Sequence, residues 1–483
     1  MAPFANKLPG SKYIIIAVLS TATHCILDEI ERMKKNVIGR LETWYRKFQI
    51  SKTPQMNLVW GFFLYTILGA ALLSLSVFHK VDVSLLDNLF ISTSAVSTTG
   101  LVTVSIFDSY NLAGQLIIML LIQIGGIGYM TLTTYYLLFT AKRLTHWHSR
   151  IIGAEFTLPN TIQVDDFIKS VIVFTLVMET LGAVAFYVSF TQSGMGALQA
   201  IWFSIFHSIS TFCTAGFGLF NDSFEGYGDN TFINATIAVL AIAGSLGFIV
   251  VTDIWYRLSG KATQMTFTTK IIIYGFLFLL GIGTLLIYVT EPWGSETVTS
   301  ALMKSFFQAM TAMTTVGFNT VPIGDLSLPI LLLITFLMYV GASPSGTAGG
   351  MKITTLTAMM AVLKSRLLGQ KNISFLGRTI PFERIYVATS TFILYTSLIF
   401  LFTFLLTYTE DFTFEKILFE VASALGTVGL STGITGDLSA AGKVLIVLLM
   451  FVGRVGVLTF GFALLQRKRK LKETRVLEDD LAV

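Results

Sequence analysis

Apolar residues run along this chain in blocks of about 20, separated by short stretches rich in Ser, Thr, Gly and charge. The clearest blocks are Met56 to Phe78, Val171 to Phe190, Phe232 to Val251, Ile271 to Val289, Tyr386 to Leu406 and Val444 to Leu465. A helix rising about 1.5 Å per residue crosses a bilayer core of about 30 Å in such a length. Between the blocks lie shorter amphipathic runs near Leu85 to Ser97, Leu198 to Cys213, Val298 to Thr314 and Phe414 to Gly426. These are too short to span and predict re-entrant helices.

All four short runs end in the same way, at Thr98-Thr99-Gly100-Leu101, Thr214-Ala215-Gly216-Phe217, Thr315-Val316-Gly317-Phe318 and Thr427-Val428-Gly429-Leu430. The glycines are 116, 101 and 112 residues apart, the period of a copied helix–loop–helix unit. The repeat divides the chain into a basic leader 1–55, pore units 56–140, 166–257, 269–366 and 382–466, and a basic tail 467–483. Each unit reads as an outer helix, a short pore helix and an inner helix. The predicted fold class is all-α integral membrane, with four tandem helix–pore helix–helix units around a pseudo-fourfold ion pore.

Composition supports the membrane reading. The chain is 53% hydrophobic and 13% charged, with mean hydropathy +0.73, whereas soluble domains carry roughly 25% charged residues. Segments 1–55, 141–170, 257–270, 352–384 and 467–483 hold 28 of the 33 Lys and Arg residues. Intervening segments carry carboxylates such as Asp108, Asp222, Glu225, Asp229 and Asp325. The positive-inside rule then places both termini and the basic loops in the cytosol of a bacterial cell, in a multi-pass plasma-membrane protein. The acidic loops face outward, where they concentrate cations. The implied surroundings are a lipid bilayer and no nucleic acid. Tyr13 to Leu19 is a short apolar run followed by basic residues, unlike a cleavable signal. Cys25 and Cys213 share no metal-ligand spacing.

A dehydrating cation needs oxygens to replace its water, and backbone carbonyls supply them without a full charge. Glycine permits the dihedrals that turn carbonyls inward, and pore helices aim the negative ends of their dipoles at the same point. Irregular backbone at membrane depth survives only inside protein or against a water-filled cavity. Four such loops around one axis predict a cation filter at Thr98–Leu101, Thr214–Phe217, Thr315–Phe318 and Thr427–Leu430, with the ion at their carbonyls.

These motifs, including the extensions Thr315-Val316-Gly317-Phe318-Asn319-Thr320 and Thr427-Val428-Gly429-Leu430-Ser431-Thr432, resemble the filter signatures of the Trk/Ktr/HKT superfamily. The KtrB-type membrane subunits are the most similar, over nearly all the chain after the leader. The resemblance implies channel-like potassium uptake driven by membrane potential. Glycine at all four filter positions implies potassium rather than the sodium preference that a first-site Ser accompanies in plant relatives. It further implies a homodimer and a cytosolic ring of nucleotide-binding RCK-domain subunits of the KtrA/KtrC kind, with no cofactor in this chain and sodium as a modulator. The alternative is a sodium-permeable or sodium–potassium coupled transporter.

Two features predict a gate. Unit three's inner helix breaks at Gly341-Ala342-Ser343-Pro344-Ser345-Gly346-Thr347-Ala348-Gly349-Gly350, followed by Met351-Lys352, because four glycines and a proline cannot hold a regular helix. In KtrB-like proteins the matching segment is the intramembrane gating loop. Lys352 either belongs to that gate or caps the loop on its cytosolic side. Arg454 stands inside the apolar run Val444 to Leu465, where an arginine must face protein or water. It is expected to bond to the loop beneath the filter. Glu420 is expected to brace the fourth filter segment, and Glu179 and Asp253 to have structural partners. A serine hydrolase built on Ser345 and His207 is the contrasting class, disfavoured because the two lie in different units with nothing to orient the histidine. Walker-type phosphate loops are absent from the sequence.

Overall fold

In a computed structural model, residues 54–128, 164–260, 263–341 and 343–465 are described. The basic leader and tail, residues 129–140 of the first unit, most of the 141–170 loop and Ala342 lie outside that set. Fifteen α-helices longer than a single turn carry the architecture among the described residues. Unit one has α1 (Pro54–Leu73), α2 (Leu85–Val96) and α3 (Leu112–Ile127). Unit two has α4 (Val164–Gln192), α5 (Ala197–Phe212), α6 (Thr231–Ser245) and α7 (Phe248–Leu258). Unit three has α8 (Phe267–Thr290), α9 (Val298–Thr314), α10 (Leu328–Tyr339) and α11 (Ile353–Leu367). Unit four has α12 (Phe382–Thr409), α13 (Phe414–Gly426), α14 (Ala440–Val455) and α15 (Val457–Leu465).

The outer helices α1, α4, α8 and α12 are long and apolar enough to cross a membrane. Their outward faces expose large apolar side chains, including Leu64, Leu181, Phe278 and Phe404. Water would penalise that surface, and lipid does not. The short helices α2, α5, α9 and α13 are instead buried along most of their length, as re-entrant segments must be to keep their unpaired ends out of lipid. Side chains cap several N-termini: Ser84 accepts from Asp87 N, Thr297 from Ser300 N and Ser439 from Gly442 N. An ion pair of 2.8 Å between Lys443 and Asp87 ties α14 to α2, joining unit four to unit one.

Two of the apolar blocks are not straight spans. Phe232 to Val251 is divided between α6 and α7, which meet at 90°. Val444 to Leu465 is divided between α14 and α15, which meet at 98°. Each break falls on one glycine in a left-handed conformation, Gly247 at φ +87° and Gly456 at φ +90°, a region that helix geometry excludes. Helix α3 also ends at such a glycine, Gly128 at φ +85°. The broken inner helix is therefore not peculiar to unit three, and hydrophobicity alone could not reveal it because a bend leaves the apolar run uninterrupted. The sequence sign is Gly-x-x-Gly at 125/128, 244/247 and 453/456, with Gly341 and Pro344 standing at the same interval in unit three.

Unit three inserts extra chain at this break. Strands β1 (Val340–Gly341) and β2 (Met351–Lys352) pair in parallel, with Val340 opposite Met351 and Gly341 opposite Lys352. The intervening loop thus leaves and returns at one level. Gly341 is required there, since a Cβ would lie 2.0 Å from the Gly349 carbonyl oxygen.

Candidate ion filter and gate

Each pore helix terminates on a threonine in the left-handed region: Thr98 at φ +51°, Thr214 at +49°, Thr315 at +56° and Thr427 at +49°. A β-branched residue there is strained, costing about 1–2 kcal/mol. Four copies at equivalent positions mean the surroundings impose the conformation. The next amide folds back on the helix each time. Thr99, Ala215, Val316 and Val428 donate to the carbonyls of Ser94, Ser210, Thr311 and Ser423, at 2.8, 2.8, 3.2 and 2.9 Å. The filter glycine follows with positive φ, from +66° at Gly216 to +96° at Gly100. The large residues after it, Leu101, Phe217, Phe318 and Leu430, are buried and anchor the loop in the protein.

These four turns form a closed ring. A Cβ on Gly100 would sit 2.5 Å from the Ala215 carbonyl oxygen, and one on Gly216 would sit 2.4 Å from that of Val316. A Cβ on Gly317 would sit 2.1 Å from the Val428 carbonyl oxygen, and one on Gly429 would sit 2.2 Å from that of Thr99. Each filter glycine therefore touches the residue before the glycine of the next unit, and the fourth unit returns to the first. Eight backbone groups meet around one axis, at the negative ends of four helix dipoles. A cation would find there fixed oxygens at almost no reorganisation cost.

A hydroxyl stands six residues before each glycine, and three of the four support the ring. Ser94 accepts from Gly100 N and Ser423 from Gly429 N, both at 3.1 Å. Thr311 donates to the Phe318 carbonyl at 2.7 Å, while the Ser210 hydroxyl is buried with no hydrogen bond. The signal is present in the sequence, since Ser or Thr recurs at that interval in all four units. Residues nine before the glycine tie down the strand beyond it. His207 Nε2 accepts from Leu219 N at 3.2 Å, Gln308 Nε2 donates to Thr320 Oγ1 at 3.1 Å, and Glu420 accepts from Thr435 Oγ1.

On the threonine side of the ring, the 341–350 loop presses against the filter. Thr214 Oγ1 donates to Thr347 Oγ1 at 3.0 Å, and Gly349 N donates to Thr315 Oγ1 at 3.2 Å. A Cβ on Gly349 would meet Thr427 Oγ1 at 2.0 Å. Three of the four strained threonines thus contact the loop. Thr347 N also donates to the Gly244 carbonyl, Gly346 packs on the Ser245 carbonyl, and Gly350 turns at φ +69°. Ser343 is fully buried and its Oγ donates to the Pro344 carbonyl. Ser345 O and Oγ accept from Phe248 N and Ile249 N, so Ser345 caps α7. His207 spends Nδ1 on the Phe203 carbonyl and Nε2 on Leu219 N, so no hydrogen bond joins it to Ser345.

Arg454 locks three units together. Its guanidinium donates to the Thr347 carbonyl at 2.5 Å and to the carbonyls of Gly125 and Gly126, the latter at 3.4 Å. Charged donors to buried carbonyls are the strong kind of hydrogen bond. Lys352 Nζ donates to the Ala348 and Gly349 carbonyls at 2.5 and 2.8 Å, closing the loop on itself. Below lies a cavity of about 610 Å³ lined by Lys352, Arg454, Thr354, Thr355 and Arg384 among others. Behind this assembly, Gln123 Nε2 donates to Glu179 at 2.8 Å, and Asp253 accepts from Thr266 N and Oγ1.

Carboxylates gather on the glycine side. Burial raises the Glu225 carboxyl above the ordinary range; the Asn319 amide, 2.7 Å away, opposes this, and Asp222 and Asp325 add to it. Hydrogen bonds from Asn221 and Ser105 hold Asp108 below the ordinary range, and a bond from Ser300 followed by the Lys304 charge does the same for Asp229. Among the described residues, no three His, Cys, Asp or Glu side chains group as a metal site.

A cyclic ring of backbone oxygens at the tips of four buried helices, enclosed by lipid-facing spans, defines a multi-pass membrane protein of the cation-transport class. The chain belongs to the TrkH family of cation transport proteins, whose model matches residues 44–471. It is 34% identical to the potassium/sodium uptake protein NtpJ of Enterococcus hirae, over 91% of this chain and 96% of that one. It is 33% identical to the Ktr system potassium uptake protein B of Vibrio alginolyticus (82% and 88% covered) and to that of Bacillus subtilis (85% and 93% covered). The fold is similar to the crystal structure of the potassium transporter TrkH from Vibrio parahaemolyticus, with TM-score 0.69 and 21% identity over 86% of this chain and 85% of that one.

Proposed function

We propose that this chain takes up potassium through a channel-like pore, with the four-glycine ring as its filter and the 341–350 loop with Arg454 as its gate. The single observation that carries the reading is the closed glycine–carbonyl ring, in which Gly429 meets Thr99 and the circle is complete. The relatives' names, potassium uptake protein B and potassium/sodium uptake protein, support the ion. The membrane potential supplies the driving force, about 2.3 kcal/mol per charge at 100 mV. No step of this kind requires chemistry on a substrate, and the chain works as a transporter rather than an enzyme.

The basic loops and both termini are cytosolic in this reading, and the carboxylates around Glu225 form the outer mouth. The chain pairs with itself, and a cytosolic ring of nucleotide-binding subunits moves the loop; the naming of relatives as parts of a Ktr system supports a multi-component assembly. Lys352 and Arg454 hold the loop under the filter until that ring pulls it away. Sodium permeation is the second reading, favoured by the potassium/sodium name of the Enterococcus relative.

Potassium uptake by a transporter-deficient bacterium tests the proposal, with rubidium and sodium fluxes compared. Gly100→Ser, Gly216→Ser, Gly317→Ser and Gly429→Ser are each expected to lower uptake or relax cation preference. Four unaffected variants would remove the filter assignment.

A further inference from the structure

Resting on the filter reading above, we propose that in units two, three and four the residue nine positions before the filter glycine braces the segment beyond it, and that Glu420 is a positioning residue for cation selection in the fourth segment. The position is held by Ile91, His207, Gln308 and Glu420, all fully buried on their pore helices. Three of the four reach across to the strand that leaves the filter. His207 engages Leu219 and Gln308 engages Thr320, each three residues past the glycine, and Glu420 engages Thr435, six past it. Ile91 has no polar atom to offer, so the first segment lacks a brace of this type.

The partners differ while the geometry repeats, and that separates bracing from charge chemistry. His207 gives Nδ1–H to the Phe203 carbonyl and accepts the Leu219 amide at Nε2. Both ring nitrogens are thereby committed, and the ring is the neutral tautomer. Gln308 is neutral by nature. Glu420 Oε1 accepts from Thr435 Oγ1. What the position supplies is one hydrogen-bonding atom, an acceptor at His207 and Glu420 and a donor at Gln308, and not a full negative charge.

The brace in unit four extends toward the ion path. Thr435 Oγ1 also lies 2.9 Å from Ser431 Oγ, which accepts from Gly433 N at 3.0 Å. Ser431 is the second residue after Gly429. The network therefore runs from the pore helix through Thr435 to the residues next to the Gly429 carbonyl. Gly433, at φ +95°, makes this strand easy to displace once it is released. Oxygens that drift apart cease to distinguish a larger dehydrated cation from a smaller one.

The test uses the full chain reconstituted in proteoliposomes, with rubidium and sodium uptake measured for wild type, Glu420→Gln, Glu420→Ala, Thr435→Val and the Glu420→Ala/Thr435→Val double variant. Loss of either partner is expected to reduce the rubidium-to-sodium flux ratio by up to about tenfold, the upper end for one lost uncharged hydrogen bond. The double variant is expected to be no worse than either single one, and Glu420→Gln is expected to stay within about twofold of wild type. A Gln variant as impaired as the Ala variant overturns the brace in favour of charge. An unchanged ratio in Glu420→Ala also overturns it. Where Glu420→Ala fails to insert, Thr435→Val decides, since it leaves the pore helix intact and an unchanged ratio there sinks the proposal. A wild type that carries neither ion would instead overturn the uptake reading itself.

Discussion

Gly429 lies so close to Thr99 that a single added carbon would sit 2.2 Å from the Thr99 carbonyl oxygen. The last filter segment is thereby set against the first, although 330 positions separate the two residues. Because each glycine touches the next unit's carbonyl in the same manner, disturbing one segment disturbs its neighbour.

Gly429→Ala is therefore expected to act on two segments. Its φ of +91° already excludes a side chain without strain, and the Thr99 carbonyl has to move as well. Rubidium-over-sodium discrimination is expected to fall at least about tenfold, on the scale of 1–3 kcal/mol for a strained backbone. Paired rubidium and sodium influx curves measure it.

Arg454→Gln removes the charge that joins the Thr347 carbonyl to those of Gly125 and Gly126. Charged hydrogen bonds contribute about 1.5–3 kcal/mol each, so basal flux without a regulatory partner is expected to rise by about tenfold or more. Rubidium efflux from proteoliposomes reads this directly. An unchanged leak would take Arg454 out of the gate.

Gly349→Ala attacks the same closure from the loop side. The new Cβ would lie 2.0 Å from Thr427 Oγ1 and 2.3 Å from the Gly426 carbonyl oxygen, so the loop has to back away from the filter. Basal efflux is expected to increase, and combining Gly349→Ala with Arg454→Gln is expected to add little. Additive effects would mean the two contacts restrain different movements.

Acidification is expected to weaken apparent potassium affinity through Glu225. Its carboxyl is raised, chiefly by burial, so it takes up a proton at a higher pH than a free glutamate does. The mouth thus loses negative charge as pH falls, while Asp108 and Asp229, both lowered, remain ionised longest. Glu225→Gln is expected to show the weaker affinity already at about pH 7 and a flatter profile down to about pH 5.5. Uptake against external potassium at several pH values provides the check.

Gly244→Ala tests the packing of an inner helix that also touches the loop at Thr347. A Cβ there would stand 2.0 Å from the Phe212 carbonyl oxygen, separating inner helix α6 from pore helix α5. Overpacking of this kind costs about 1–3 kcal/mol. A lower Tm of the detergent-solubilised protein is the expected result.

Composition and local pattern were enough for the membrane class, for the bounds of the four short helices to within a residue or two, and for the place of the Thr-x-Gly turns at their ends. The unbroken apolar runs concealed the bends at Gly247 and Gly456, since hydrophobicity reports depth in the membrane and is blind to direction. The expectation that Arg454 bonds to the loop and that Glu420 braces its segment was legible as well, but the closure of Gly429 on Thr99, the reach of Arg454 to Gly125, and the placing of Ser94, Thr311 and Ser423 behind the ring come from the three-dimensional arrangement. Those contacts join residues from 6 to 330 positions apart, and which oxygen meets which glycine depends on how four separate helix tips converge. Local periodicity carries the helices; convergence at one axis creates the site.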